Sequence, residues 1–256
     1  MIRIFRNIRQ KLASENKAAS YLRYAIGEIL LVVVGILIAL QVNNWNELRK
    51  QRNKELHYLI NLKTDLNLNI AEIDNYITTR NSQIISAKEV VNYFEGQPLA
   101  DLNMFNRHAV NVYTWQKFFQ INNTFQELTN SGNLAIISSD SIKNSLLNLE
   151  TLYKKLKYEE EHFRYDAEVM LYEPAYGILD INSMVKNLTF QFSNGQQGEN
   201  VKLSGKDFNQ LLKNRKQKNG FAMAVYEFSV MNNQLERMKS LCKKLISLID
   251  QELERG

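Results

Sequence analysis

Apolar side chains are distributed along this chain in two ways. Near the start they form one unbroken block, and behind it they recur at steps of three and four. The block Ile29–Leu40 holds twelve consecutive residues without a polar side chain, and Ala25–Val42 holds eighteen with only Glu28 and Gln41 as exceptions. Such a helix is about 27 Å long, close to the hydrocarbon thickness of a bilayer. Tyr21 and Tyr24 precede the run and Trp45 follows it, rings that prefer the headgroup level. Val32-Val33-Val34 leaves no polar face, which weakens the reading as the core helix of a soluble domain. Leu40–Trp45 offers no small-x-small cleavage site, so an uncleaved anchor is expected rather than a signal peptide. Glu28 falls in the first turn of the run, where the helix N-terminus favours an anion and Arg23 or a headgroup cation is near. The pattern predicts a transmembrane helix over 24–45.

Behind it, Leu48, Leu59, Leu62, Leu66, Ile70, Ile73, Ile77, Ile84 and Val91 share one face of a helix ending before Gly96-Gln97-Pro98. Ile142, Leu146, Leu149, Tyr153, Leu156, Glu160, Phe163, Ala167 and Met170 alternate strictly by four and three. Ala224, Phe228, Met231, Leu235, Met238, Cys242, Leu245 and Ile249 do the same near the C-terminus. A seven-residue repeat is the seam of left-handed helix packing, and three such helices need a shared core. Asp101–Phe119, rich in aromatic residues, with Thr124-x-x-Glu127 as a capping box and Gly132 as a stop, predicts a broken fourth member; Ser139 or Asp140 caps the next helix. Between Pro174 and Gly205 the helical pattern fails. Leu188–Phe192 and Val201–Leu203, across Asn194-Gly195, read as a small hairpin or equally as an irregular loop. The expected fold is all-α: an N-terminal transmembrane helix followed by an antiparallel helical bundle with long helices and a small irregular or hairpin insertion near 174–205. Two prolines and ten glycines in 256 residues agree with long helices.

Charge sharpens the picture. Of the 32 Lys and Arg, ten lie within residues 1–54 against three Glu, leaving 22 bases and 24 acids for the rest. The net charge of +5 is therefore a juxtamembrane property, which fits anionic lipid and speaks against a nucleic-acid partner. Met1, Ile4, Phe5, Ile8 and Leu12 fall on one helical face and Arg3, Arg6 and Arg9 on the other, with Lys11 adding to the basic, lipid-facing set. That is an amphipathic helix for the headgroup layer, or else a short solvated tail. Short basic tails translocate poorly, whereas a long following domain crosses largely regardless of charge. The expected organisation is a cytoplasmic amphipathic segment at 1–23, the span at 24–45 and one bundle domain at 46–256, on the periplasmic side of a bacterial inner membrane.

Ser14–Glu47 carries Ser-Glu-Asn-Lys, Tyr-Ala-Ile-Gly-Glu, the apolar run and Asn-Asn-Trp-Asn-Glu. This resembles the N-terminal signature of a family of single-pass membrane proteins of unknown function, found chiefly in bacteria of the Bacteroidetes group. Thr124–Ile137 is a second matching stretch, and together they cover about a fifth of the chain. The resemblance implies a bacterial membrane protein; it implies no activity and no catalytic residues.

Candidate chemistry is sparse. Cys242 sits on a seam position and reads as a small apolar side chain. Glu159-x-x-His162 has the spacing of one half of a di-iron site, but no second such motif exists and a solvated acidic patch, with Glu160 partly tucked at the seam, is the simpler reading. His57 and His108 are isolated in sequence, and no nucleophile triad, phosphate loop or Cys-x-x-Cys appears. No catalytic activity, cofactor or metal is therefore expected. Within the span, Glu28 and Gly35 share a face with Ala39 one turn on, a Gly-x-x-x-Ala surface for self-association or for another membrane protein, although Gly and Ala are also ordinary residues in spans. The expected partners are the lipid bilayer, other membrane or envelope proteins and a second copy of the chain. The expected role is a membrane-anchored interaction or scaffold module of the envelope. The alternative is a ligand-sensing bundle, which needs a partner because about two dozen cytoplasmic residues hold no effector.

Overall fold

The computed structural model describes Arg6, Asn7 and residues 18–255, without the side chains of residues 18–21 and of Tyr24. The amphipathic pattern of residues 1–12, with Arg3, Arg9 and Lys11, and the rings of Tyr21 and Tyr24 lie outside the described residues; Arg6 is exposed. Among the described residues there is no strand. The chain forms two compact units, Met1–His57 and Tyr58–Gly256, considered in turn.

The first helix, α1, is continuous over Ala18–Phe94 and belongs to both units. In the first unit its apolar block is long and apolar enough to cross a membrane. Its most apolar 18-residue window has mean hydropathy 2.5 and none of it is buried, unlike the core helix of a soluble domain. Leu48, expected on the packed face, is exposed.

The second unit is a bundle. After Phe94 the chain turns at Gly96, whose φ of +108° suits glycine, and reaches Pro98. Helix α2 (Leu102–Tyr113) starts where the Asp101 carboxylate accepts the Asn103 and Met104 amides at 2.9 and 3.1 Å. Residues 115–122 carry no helix, and α3 (Asn123–Asn130) completes this broken second passage. A 3₁₀ turn (Asn133–Ile136) follows Gly132, at φ +69°. Helix α4 (Asp140–Ala167) is capped by Ser139 and continues through a π-helical turn, Glu168–Tyr172, into the short α5 (Glu173–Tyr176). Helices α6 (Ile181–Phe192) and α7 (Gly205–Leu211) lead to α8 (Arg215–Glu254).

Cross-helix pairs fix the directions. Lys63–Asp250, Asp74–Lys239, Asn81–Asn232 and Glu95–Lys218 run α1 antiparallel to α8. Helix α4 packs antiparallel to α8 with the Phe163 and Phe228 rings 4.6 Å apart, centroid to centroid. Every predicted seam residue of α8, from Ala224 to Ile249, is buried. On α4 the seam holds through Ala167 with Tyr153 half-buried, and then Leu171, not Met170, takes the buried place. The π turn inserts one residue and shifts the phase. The Leu171 carbonyl accepts a hydrogen bond from Gln217 Nε2 on α8. Gly220 faces Leu171 so closely that a Cβ there would stand 2.5 Å from Leu171 Cδ2.

Two further local expectations are corrected. The Thr124-x-x-Glu127 box does not form. The Thr124 amide donates to Asp65 Oδ2 at 2.9 Å, and Glu127 Oε1 accepts from Tyr58 Oη at 2.8 Å, so both groups turn toward α1 instead of each other. Between 174 and 205 there is neither a hairpin nor one irregular loop: Leu188–Phe192 is the end of α6. Asp180 caps that helix, and Asn194-Gly195 ends it rather than turning a strand. With Asn194 at φ +52°, its amide reaches the Gln191 carbonyl and the Gly195 amide reaches the Phe190 carbonyl at 2.9 Å, the paired bonds of a left-handed helix stop. The burial of Met184 and Asn187 at a three-residue step outweighs the β-propensity of the Leu-Thr-Phe-Gln-Phe run. Val201 and Leu203 pack as irregular chain, the Val201 carbonyl held by Asn187 Nδ2 at 3.1 Å.

Substituting Gly220→Ala improves helix propensity by about 1 kcal/mol, yet overpacks Leu171 at a cost of about 1–3 kcal/mol. A lower melting temperature of the full chain in detergent is expected, recovered in part by Leu171→Ala; a rise in Gly220→Ala alone would refute the close packing.

Candidate functional site

The three-and-four series on α1 has polar steps inside it. Asn69 falls between Leu66 and Ile73, and Arg80 between Ile77 and Ile84; both are buried. Their purpose is set by residues 116–121, whose peptide groups have no helical partners of their own and must find others. Asn69 pairs both ways with Ile121, receiving its amide at 2.8 Å and donating to its carbonyl. Tyr76 Oη donates to the Lys117 carbonyl at 2.6 Å and Arg80 to the Gln116 carbonyl at 3.2 Å, while Gln83 holds the Asn111 carbonyl, in the last turn of α2, at 3.1 Å.

Arg80 is also half of a buried ion pair. Its guanidinium meets Glu160 Oε1 on α4 at 2.6 Å, with the two side chains 1% and 0% exposed. The same carboxylate oxygen accepts the Phe118 amide at 2.8 Å, so α1, α4 and the irregular segment converge on one atom. Arg80 further contacts Met231 Sδ and lies 5.7 Å from the centre of the Phe228 ring, both on α8. Burial acts against charge on both partners, raising Glu160 and lowering Arg80, while the Phe118 amide and the guanidinium pull Glu160 back down. The three residues 160–162 thus diverge. Glu160 is fully buried rather than partly tucked, Glu161 pairs with Lys117 and Arg164 outside, and His162 faces Glu227 of α8.

The membrane candidates lie on the exposed part of α1. Gly35 has open space where a Cβ would stand, Ala39 is exposed, and Glu28 is half-exposed. Trp45 is exposed with the Arg49 guanidinium 5.8 Å from its ring centroid. His57 is exposed; His108 is half-buried, its Nδ1 3.2 Å from Ser86 Oγ, and burial lowers its pKa. Cys242 is buried, which pushes its thiol up to about 12.

These features define an all-α protein whose bundle is organised by a polar spine on one long helix. The chain belongs to a family of unknown function, DUF6090, whose model matches residues 28–177. No curated protein and no solved structure matches it. The matched stretch opens at Glu28, contains Gly35, Ala39, Arg80 and Glu160, and closes at Gly177, before α8 begins.

The apolar patterning missed Asn69 and Arg80 because it tracked only hydrophobic steps. The signal was present: a cation on the α1 series and an anion, Glu160, on that of α4. Breaking the pair by Arg80→Met or Glu160→Gln is expected to cost about 3–5 kcal/mol, since each leaves a buried polar partner uncompensated. The double variant should lose less than the sum of the singles in thermal unfolding; strict additivity would show that the pair is not coupled. Cys242 should resist alkylation at pH 8 in the folded chain and react fully once denaturant is added, as mass spectrometry would read.

Proposed function

We propose that this chain is a single-pass, membrane-anchored helical interaction module of the bacterial envelope. The observation that carries the reading is the apolar window of α1, with mean hydropathy 2.5 and no residue buried in its own fold. Such a surface is stable only in an apolar surrounding, and its length matches a bilayer. The short tail ahead of the span sets the polarity, because its six bases translocate poorly: the N-terminus stays cytoplasmic, where Arg3, Arg6, Arg9 and Lys11 meet anionic lipid, and the unit from Tyr58 onward is periplasmic. Trp45, beside Arg49, and the tyrosines Tyr21 and Tyr24 serve as interfacial anchors. The resemblance of Ser14–Glu47 supports a Bacteroidetes-type origin. The open face at Gly35 and Ala39, with Glu28 two turns before Gly35, is where a second copy or another membrane protein docks.

In a Gram-negative host the full chain should stay in the membrane pellet after alkaline carbonate extraction. Protease added to intact spheroplasts should degrade the bundle. Recovery in the carbonate supernatant would overturn the anchor; digestion only in inverted vesicles would overturn the sidedness alone. A Gly35→Cys variant should form a disulfide-linked dimer in membranes if the face is used by a second copy, and exclusive monomer would remove that partner.

A further inference from the structure

We propose that His162, Asp166 and Glu227 form a binding site for one divalent transition-metal cation of the zinc type, between α4 and α8. His162 and Asp166 are four residues apart on α4 and so share a face, while Glu227 reaches the same point from α8. One ligand atom from each, an imidazole nitrogen and two carboxylate oxygens, lies within 4.8 Å of the others. The set combines nitrogen and oxygen donors suited to zinc and its neighbours, and three protein ligands leave a fourth position for water or a further donor.

The independent observation is the state of Glu227. Its side chain is 7% exposed, and no well-aligned hydrogen-bond donor reaches its buried Oε1. His162 Nδ1 stands 3.3 Å from that oxygen without the alignment of a hydrogen bond. Buried carboxylate oxygens are ordinarily well satisfied, and one met only by a poorly aligned imidazole, with a second carboxylate beside it, leaves a place that a cation fills. Burial is the main cause that pushes Glu227 up to about 7; the neighbouring Asp166 adds to it and His162 opposes it. Two carboxylates and a dication balance in charge, which removes the like-charge conflict. Tetrahedral coordination at about 2.0–2.2 Å brings ligand atoms to within about 3.5 Å of one another. The remaining closure falls to His162, half-exposed, and Asp166, half-buried, whose side chains have room to turn while Glu227 is held. The exposed imidazole also marks the route of entry. The di-iron spacing Glu159-x-x-His162 plays no part, since the partners of His162 are one turn onward and on the facing helix.

The test uses the full chain in detergent, without a polyhistidine tag and stripped with chelator, titrated with zinc against a competing chromophoric chelator. One zinc per chain is expected, with a rise in melting temperature because only the folded chain assembles the site. His162→Ala, Asp166→Asn and Glu227→Gln should each weaken zinc at least about tenfold, a loss seen even for outer-shell partners. Glu159→Gln should bind as the parent does. His162→Ala removes an exposed ring and leaves the core intact, so the test survives if Glu227→Gln fails to fold. Absence of saturable zinc at micromolar concentration, affinity unchanged in His162→Ala, or affinity lost in Glu159→Gln would each overturn the site.

Discussion

A stretch of non-helical backbone inside a helical bundle is the constraint on which the rest of this fold depends. Residues 115–122 run beside α1 with Phe118 buried, and their amides and carbonyls cannot satisfy one another. An unpaired buried peptide group costs about 1–3 kcal/mol, so several together would exceed what a domain can spare. Helix α1 answers with Asp65, Asn69, Tyr76 and Arg80, each holding a peptide group of residues 116–124. Glu160 supplies a further acceptor, from α4, to the Phe118 amide.

That arrangement explains why a full charge pair is kept in the core. Burying two ions is expensive, and apolar replacements of similar volume are often as stable. Here the pair serves three elements at once: Arg80 reaches the Gln116 carbonyl, and Glu160 the Phe118 amide. A slip of α1 against α4 by one turn would strand both ions and two peptide groups together. The pair therefore fixes register, as a single buried polar residue does in coiled coils. The π turn at Glu168–Tyr172 is a second registering device. Gln217 ties its Leu171 carbonyl to α8 and receives the Tyr113 hydroxyl at 3.0 Å, while Tyr172 Oη reaches the Tyr113 carbonyl at 2.9 Å.

What the chain disclosed by pattern alone follows from the same physics. Seams of α4 and α8 were readable because buried aliphatic residues recur with the helical period, and the fit is complete from Ala224 to Ile249. The phase change at Met170 was not readable, because its cause is tertiary: Gly220 and Gln217 lie nearly fifty residues away. Leu188–Phe192 misled through β-propensity, which a cap at Asp180 and a stop at Asn194-Gly195 override. His162 was visible as a chemical residue but with the wrong companion. Its neighbours Asp166 and Glu227 come together only once α4 and α8 are antiparallel.

The apolar block requires a different argument, because packing does not explain it. From Leu22 to Val42, thirteen large aliphatic side chains stand between 44% and 71% exposed. Covering what remains of each is worth about 1 kcal/mol, so the segment as a whole seeks on the order of 10–20 kcal/mol of apolar contact. That rivals or exceeds the about 5–15 kcal/mol by which a domain is stable at all. Helix α1 thus carries two demands along one continuous backbone. Beyond Leu59 a single face wants a core, and the bundle supplies it; before Val42 every face wants an apolar medium, and nothing in the described fold does. Eighteen residues of one helix thus form an apolar surface that their own fold leaves bare, and the family match opening at Glu28 takes in that surface together with the polar spine.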